Sequence, residues 1–158
     1  MKKLIIIPTY DEKKNIVILL NKIIKLYNSR FQILVIDDNS PDGTSEVVKK
    51  YSKKYKFIKL KKRSEKLGIG SAHKYGIKYA VKNNFNILIT MDADGTHNPS
   101  HIKKFIYLIK KYDLITTNRF LNKKSLQEWP LFRRFLTNLR HYLIKLFLGV
   151  PIDSSGAY

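Results

Sequence analysis

Two rhythms of apolar residues alternate along the chain. "KLIIIP" (residues 3–8) and "FQILVID" (31–37) are short, continuous apolar runs, the pattern of strands buried on both faces. "FNILITMD" (85–92) repeats that pattern, "KFIKL" (56–60) is a weaker version of it, and "DLITTN" (113–118) reads as one more strand. Between these runs the period changes. Ile16, Leu19, Leu20, Ile23, Ile24 and Tyr27 recur at helical spacing. Further helices are predicted from about Thr44 to Tyr55, with Val47, Val48 and Tyr51 inward, and from about Ser71 to Lys82. "NPSHIKKFIYLIKKY" (98–112) opens with Asn98 as an N-cap and Pro99 at the first helical position. About Leu131 to Leu148 reads as a basic amphipathic helix. "SPDGT" (40–44) is turn chemistry, and "EKLGIGS" (65–71) is a glycine loop in which the backbone can approach closely.

Alternation of strand and helix predicts an α/β domain: a mostly parallel sheet, right-handed crossovers and helices on both faces. In such sheets ligands sit outside the carboxyl ends of the strands. The acids concentrate there. Asp37 and Asp38 end the second strand, and Asp92 and Asp94 end the fourth.

The chain carries 31 Lys and Arg against 12 Asp and Glu, a net charge of +19. One reading is attraction to a polyanion such as nucleic acid, an anionic membrane face or nucleotide phosphates. The other is a Lys-rich composition spread over solvated helix faces. The lysines are scattered without a long basic block, which argues against specific nucleic-acid binding. The 158 residues, 44% apolar, predict one domain with a real core. There is no cysteine, so neither disulfides nor thiolate metal sites enter, and the fold rests on packing. The apolar run of "MKKLIIIPTY" ends at Pro8, too early for a signal peptide, and no stretch of ~18 uncharged apolar residues suggests a membrane span.

An Asp-x-Asp just past a buried strand can aim both carboxylates at one point, because alternate residues share a side. Two hard oxygen ligands suit Mg²⁺ or Mn²⁺, which bind through one or two carboxylates plus substrate phosphates. Helix capping and turn formation are the competing explanation for the same residues. A glycosidase pair would need an apolar pocket raising one acid, and nothing selects a proton donor. A dinucleotide fingerprint would follow the first strand, where "PTYDE" has no glycine, and a P-loop is absent. His97, beside the acids, is a candidate ligand or phosphate contact; His73, His101 and His141 fall on predicted helices and read as ordinary surface or partly buried residues.

Taken in order, "PTYDEKKNI", "VIDDNSPDGT", "KLGIGSAHKYG", "MDADGTHNP" and "TTNRF" resemble family 2 glycosyltransferases, and within them the dolichyl-phosphate mannosyltransferase (polyprenyl-phosphate) branch. The resemblance runs from Lys3 to the last residue. It implies a single GT-A domain over residues 1–158, Rossmann-like, and an inverting transfer from a nucleotide sugar, with GDP-mannose favoured. It places Pro8, Tyr10 and Glu12 along the nucleoside, Asp37 and Asp38 at base and ribose, and Lys66, Gly68 and Ala93 beside the donor. Asp92 and Asp94 match the metal-binding pair, with Thr96 at the position of a polar side chain that can complete the metal site. Arg119 matches a donor-phosphate contact, and Arg133 or Arg134 a second one. Asp92, Asp94 and Arg119 are therefore the expected catalytic residues. Outside the resemblance, Tyr10 reads rather as a core ring and Arg119 as a solvated surface residue.

The acceptor implied is a polyprenyl (dolichyl) phosphate. Its second phosphate pKa is ~6, so it is already anionic near neutral pH and needs no strong general base. The expected location is cytoplasmic, at the cytoplasmic face of a membrane, with the apolar side of the Leu131–Leu148 helix in peripheral contact with lipid or else packed on a core. Three departures stand out: Asp11 where Asn is common, Gly95-Thr96 where Leu precedes Ser or Gln, and "DSSGAY" where the family pattern runs on into acceptor-side structure, so that the domain is expected to be short on that side. Two rival readings remain. One is transfer to a saccharide or protein, for which Asp153 is the one general-base candidate in the C-terminal third. The other is a non-catalytic nucleotide-sugar or membrane-binding module.

Overall fold

The structure is a computed structural model and describes residues 1–117 and 130–149. The chain divides into two compact units, Met1–Lys104 and Phe105–Tyr158. The first holds a four-stranded sheet: β1 (Lys3–Thr9), β2 (Gln32–Asp37), β3 (Ile58–Lys62) and β4 (Ile87–Thr90). All pairs are parallel, in the order β3-β2-β1-β4. The connections are α1 (Lys13–Tyr27), α2 (Thr44–Lys54) and α3 (Ile69–Lys82). A 3₁₀ turn, Pro99–His101, leads into α4 (Ile102–Leu108), and the second unit contains α5 (Leu131–Leu148).

The continuous apolar runs are what a sheet covered on both sides requires. Leu4, Ile5, Ile6 and Ile7 of β1 are all fully buried, as are Ile33, Val35 and Ile36 of β2. Leu4, Ile6, Leu34 and Ile36 pack with Ala72 and Ala80 of α3 on one face, and alternation turns Ile5, Ile7, Ile33 and Val35 to the other. Each such side chain contributes roughly 1.5–3 kcal/mol on leaving water. The approach of α3 to β1 depends on Gly76. A Cβ there would lie 2.6 Å from Ile6 Cδ1 and 3.0 Å from Ile6 Cγ2.

Three sequence expectations change in the structure, and a fourth element keeps its bounds. α3 starts at Ile69, so "GIGSA" is the entry to a helix and only Gly68 remains as loop. Asn98 does cap, its Oδ1 accepting from Ser100 N–H at 3.1 Å, but the first turn is 3₁₀ and α4 ends at Leu108. Residues 113–117 form no strand; Leu114 is 77% exposed, and a strand needs a ladder partner that the described residues do not supply. α5 forms as expected, but Phe132, Phe135, Tyr142, Leu146 and Phe147 are exposed. No described helix is long and apolar enough to cross a membrane.

Candidate functional site

The chain runs β1 to β2 to β3 on one side of the sheet and then crosses back to place β4 on the other side of β1. That reversal opens a crevice at the carboxyl ends of β1 and β4. Each strand there ends in a residue that the sequence singles out. β1 gives way to Tyr10 and Glu12 through Asp11, whose φ of 59° lies in the left-handed region. Asn and Asp tolerate that conformation best among residues with a side chain, which accounts for either at this position. β2 ends in the acidic pair, β4 leads to Asp92 and Asp94, and the loop after β3 brings Lys66 and Gly68.

A cavity of about 350 Å³ results, lined by Pro8, Thr9, Tyr10, Glu12, Asp38, Lys66, Gly68, Ile69, Asp92, Ala93 and Asp94. Of the eleven predicted positions within residues 1–117, nine surround this one space: Pro8, Tyr10, Glu12, Asp38, Lys66, Gly68, Asp92, Ala93 and Asp94. Thr96 and Asp37 do not line it. The Asp37 carboxylate is fully buried and accepts four hydrogen bonds: from Thr9 Oγ1 (3.0 Å) and Ser40 Oγ (2.6 Å) on Oδ1, and from Ser40 N–H (3.1 Å) and Ser45 Oγ (2.5 Å) on Oδ2. The physical reason is register: Asp37 is still within β2, so its side chain turns into the fold, and Asp38 turns to the cavity.

Asp38 is held from two sides. Its Oδ2 accepts the Gly68 N–H at 2.7 Å, and its Oδ1 lies 2.9 Å from Nη1 of Arg63, both side chains being more than nine-tenths buried. Gly68 has φ 82° and ψ 161°, a conformation open essentially to glycine alone, and this aims its N–H at the carboxylate. The ion pair does not have hydrogen-bond geometry. Arg63 Nη1 donates to Ser71 Oγ at 2.6 Å, which leaves Asp38 Oδ1 and Arg63 Nη2 without a hydrogen-bond partner among the described residues. Both atoms are sealed from solvent, so the pair acts as support, fixing the carboxylate of Asp38 behind the cavity wall. The sequence reading missed Arg63. The available signal was a single Arg among the lysines of "KKRSEK", because Arg suits a buried pair better than Lys.

Tyr10 is 37% exposed, and Lys66 Nζ stands 3.5 Å from its ring centroid, a cation–π contact at the cavity mouth. Glu12 precedes α1, where its Oε2 accepts from Asn15 Nδ2 at 2.7 Å and its backbone N–H donates to Thr44 Oγ1 at 3.1 Å.

The Asp-x-Asp loop leaves β4 through Met91, whose N–H donates to Ile6 carbonyl at 3.0 Å. Asp94 Oδ1 accepts from both Thr96 N–H (2.9 Å) and Thr96 Oγ1 (2.7 Å). Thr96 is thus tied into the turn, and Gly95 supplies its φ of 86°. No described group of three acidic or His side chains could enclose a metal. Two carboxylates at the rim of a cavity nonetheless fit Mg²⁺ or Mn²⁺, which take one or two protein carboxylates and complete their shell with phosphate oxygens and water. His97 is not turned into the cavity. It is 7% exposed, its Nδ1 accepts the Asp92 N–H at 2.9 Å, and it lines a separate hollow behind the loop.

Arg119 and the side chain of Arg133 lie outside the described residues. Arg134 is half-buried in the first turn of α5.

Comparisons with known proteins bear on the family and the fold. The model of glycosyl transferase family 2 matches residues 4–156. The chain is 28% identical over 160 residues to a polyprenol monophosphomannose synthase of Mycolicibacterium smegmatis, covering 99% of this chain and 60% of that protein. It is 34% identical over 139 residues to a dolichol-phosphate mannosyltransferase of Pyrococcus furiosus, covering 87% of this chain and 38% of that one. Among solved structures it resembles S. aureus TarS in complex with UDP, at a TM-score of 0.59 and 28% identity, over 72% of this chain and 33% of that one. The chain spans less than two thirds of the length of these relatives.

Proposed function

The chain belongs to glycosyl transferase family 2, with the α/β GT-A fold of that family, and on that premise we propose that it transfers mannose from GDP-mannose to a polyprenyl (dolichyl) phosphate with inversion. The observation that carries this is the convergence, at one crevice, of an Asp-x-Asp loop with Asp38, which Arg63 backs from within the fold, and an exposed aromatic ring. The face of Tyr10 that Lys66 leaves open is offered to the base, and Asp38, fixed by Arg63 and the Gly68 N–H, lines the same space. Asp92 and Asp94 would hold Mg²⁺ or Mn²⁺, with Thr96 shaping the turn; the ion supplies charge neutralisation for the departing diphosphate. Arg119, and Arg133 or Arg134, are the proposed guanidinium contacts to phosphate. No described carboxylate at the crevice is needed as a general base, which suits a phosphate nucleophile already ionised near neutral pH.

Two relatives are named for polyprenyl- or dolichyl-phosphate mannosyl transfer, and the exposed apolar residues of α5, interspersed with Arg134, Arg140 and Lys145, suit contact with an anionic membrane surface. We place the reaction at the cytoplasmic face of such a membrane.

Calorimetric titration of GDP and of UDP, each with Mn²⁺ and with EDTA, tests the donor site. GDP is expected to bind more tightly than UDP, and more tightly with Mn²⁺ than with EDTA. Asp94→Ala is expected to remove the Mn²⁺-dependent part and to abolish transfer to dolichyl phosphate. Failure of both nucleotides to bind would overturn the reading. Nucleotide binding without turnover in the parent chain would identify a binding module instead.

A further inference from the structure

The loop from Met91 to Pro99 presents a problem of support. Asp94, Gly95 and Thr96 are exposed, and a solvated loop of this kind has little packing to fix its carboxylates. Three contacts tie it down. Met91 N–H donates to the Ile6 carbonyl at 3.0 Å, which continues the pairing of β1 with β4. At the far end, the Tyr27 hydroxyl donates to the Pro99 carbonyl at 2.7 Å. Between them a side chain of the loop folds back on the loop itself: His97 Nδ1 accepts the backbone N–H of Asp92 at 2.9 Å.

That contact sets the ring as well as the backbone. A ring nitrogen that accepts an N–H carries no proton, so in neutral imidazole the proton is on Nε2. His97 Nε2 lies 3.7 Å from Asp92 Oδ2, longer than a hydrogen bond, and the two ring nitrogens point away from each other, so the ring bonds Asp92 at its amide. His97 is 7% exposed and Asp92 35% exposed at its side chain, so a buried ring holds the backbone of a residue whose carboxylate reaches the cavity.

We propose that His97 is a positioning residue for Asp92, holding its backbone amide through Nδ1 so that the start of the loop, and with it the Asp92 carboxylate, is fixed where a divalent cation would be held. This rests on the reading of Asp92 and Asp94 as the cation-holding pair. His97 approaches from the hollow behind the loop, which Asn15, Ile18, Leu19 and Lys22 of α1 also line, so it acts on the cation through Asp92. Outer partners of this kind are worth about 10–100-fold in metal affinity.

The test is titration of GDP, with Mn²⁺ and with EDTA, into the parent chain, His97→Ala and His97→Asn. The Oδ1 of Asn takes the place of Nδ1 and keeps the acceptor for the Asp92 amide. His97→Ala is expected to lose about 10–100-fold of the Mn²⁺-dependent gain in GDP affinity, to keep the affinity measured in EDTA, and to bind Mn²⁺ alone more weakly by electron paramagnetic resonance. His97→Asn is expected to recover most of the gain. A full gain in His97→Ala would overturn the inference, as would no recovery in His97→Asn or an equal fall with and without Mn²⁺. If His97→Ala fails to fold, the comparison of His97→Asn with the parent decides alone, and loss of its Mn²⁺-dependent gain overturns the inference. A parent chain that binds GDP equally in Mn²⁺ and EDTA would remove the reading of the acidic pair itself, and this inference with it.

Discussion

Asp37→Asn separates a residue that builds the crevice from one that touches what enters it. In the structure the carboxylate accepts from Thr9 Oγ1, Ser40 Oγ, Ser40 N–H and Ser45 Oγ, at 2.5 to 3.1 Å, with no exposure to solvent. These four bonds join β1, β2, the turn after β2 and the first turn of α2. An amide in place of the carboxylate puts an NH₂ group where an acceptor was. On the Oδ2 side it would face the Ser40 N–H, which cannot turn, so the NH₂ must take the Oδ1 side, where two hydroxyls can rotate to accept. Every bond is then made, but none is charge-assisted. Bonds to charged groups contribute ~1.5–3 kcal/mol and neutral ones ~1, so four such changes, offset by the easier burial of a neutral amide, leave a loss of about 2–3 kcal/mol. Asp37→Ala orphans the Ser40 N–H as well, and the expected loss is about 3–5 kcal/mol. For a chain of this size each kcal/mol moves Tm by roughly 2–4 °C, so Asn should lower it by ~5–10 °C. The assays are urea unfolding followed by circular dichroism, and GDP titration at a temperature where the variant is folded. Unchanged GDP affinity in a destabilised variant is expected. A Tm equal to the parent's, with GDP binding lost, would refute the reasoning and return Asp37 to the ligand.

Three further perturbations test the frame around the site. Gly76→Ala removes the helix penalty of glycine, ~1 kcal/mol, but forces a methyl to 2.6 Å from Ile6 Cδ1 in a fully buried side chain, and overpacking of that kind costs about 1–3 kcal/mol; net destabilisation in urea is expected, and a stabilised variant would show that α3 can withdraw from β1. Tyr27→Phe removes the bond to the Pro99 carbonyl and should cost about 1 kcal/mol. Burial, against a weaker opposing hydrogen bond at Lys103, raises the Tyr27 phenol above its ordinary pKa, so its protonated form stabilises the fold at neutral pH and that contribution fades as alkaline pH rises through the folded-state value; the Phe variant should lack this part of the alkaline loss in a pH series of unfolding curves. Arg63→Met leaves the Asp38 charge buried without its counter-charge and should cost about 3–5 kcal/mol, whereas the double variant Arg63→Met with Asp38→Asn should recover part of it in a double-mutant cycle; additive losses would mean that the pair is not coupled.

The one-dimensional pattern determined the sheet, because continuous apolar runs such as residues 4–7 and 33–36 satisfy only strands covered on both faces, and because parallel strands need the helices that the intervening periods spell. It also determined where to look for chemistry, since acids just past such strands stand at carboxyl ends whatever the details of packing. Short-range signals had less reach. "DLITTN" has strand-like residues, but a strand exists only with a partner, and pairing is not a local property. "GIGSA" joined a helix because the Gly68 amide had an acceptor, Asp38, thirty residues away in the chain. The roles within the acidic pair were undetermined for the same reason. Asp37 and Asp38 are chemically identical in the sequence, and only the register of β2 against β1 turns one into the fold and the other to the crevice. Arg63, one cation among many, is distinguished by burial beside a carboxylate, and His97 by the loop that closes around it. Each of these is a distance between residues far apart or facing in ways that spacing does not encode, and tertiary structure alone decides it.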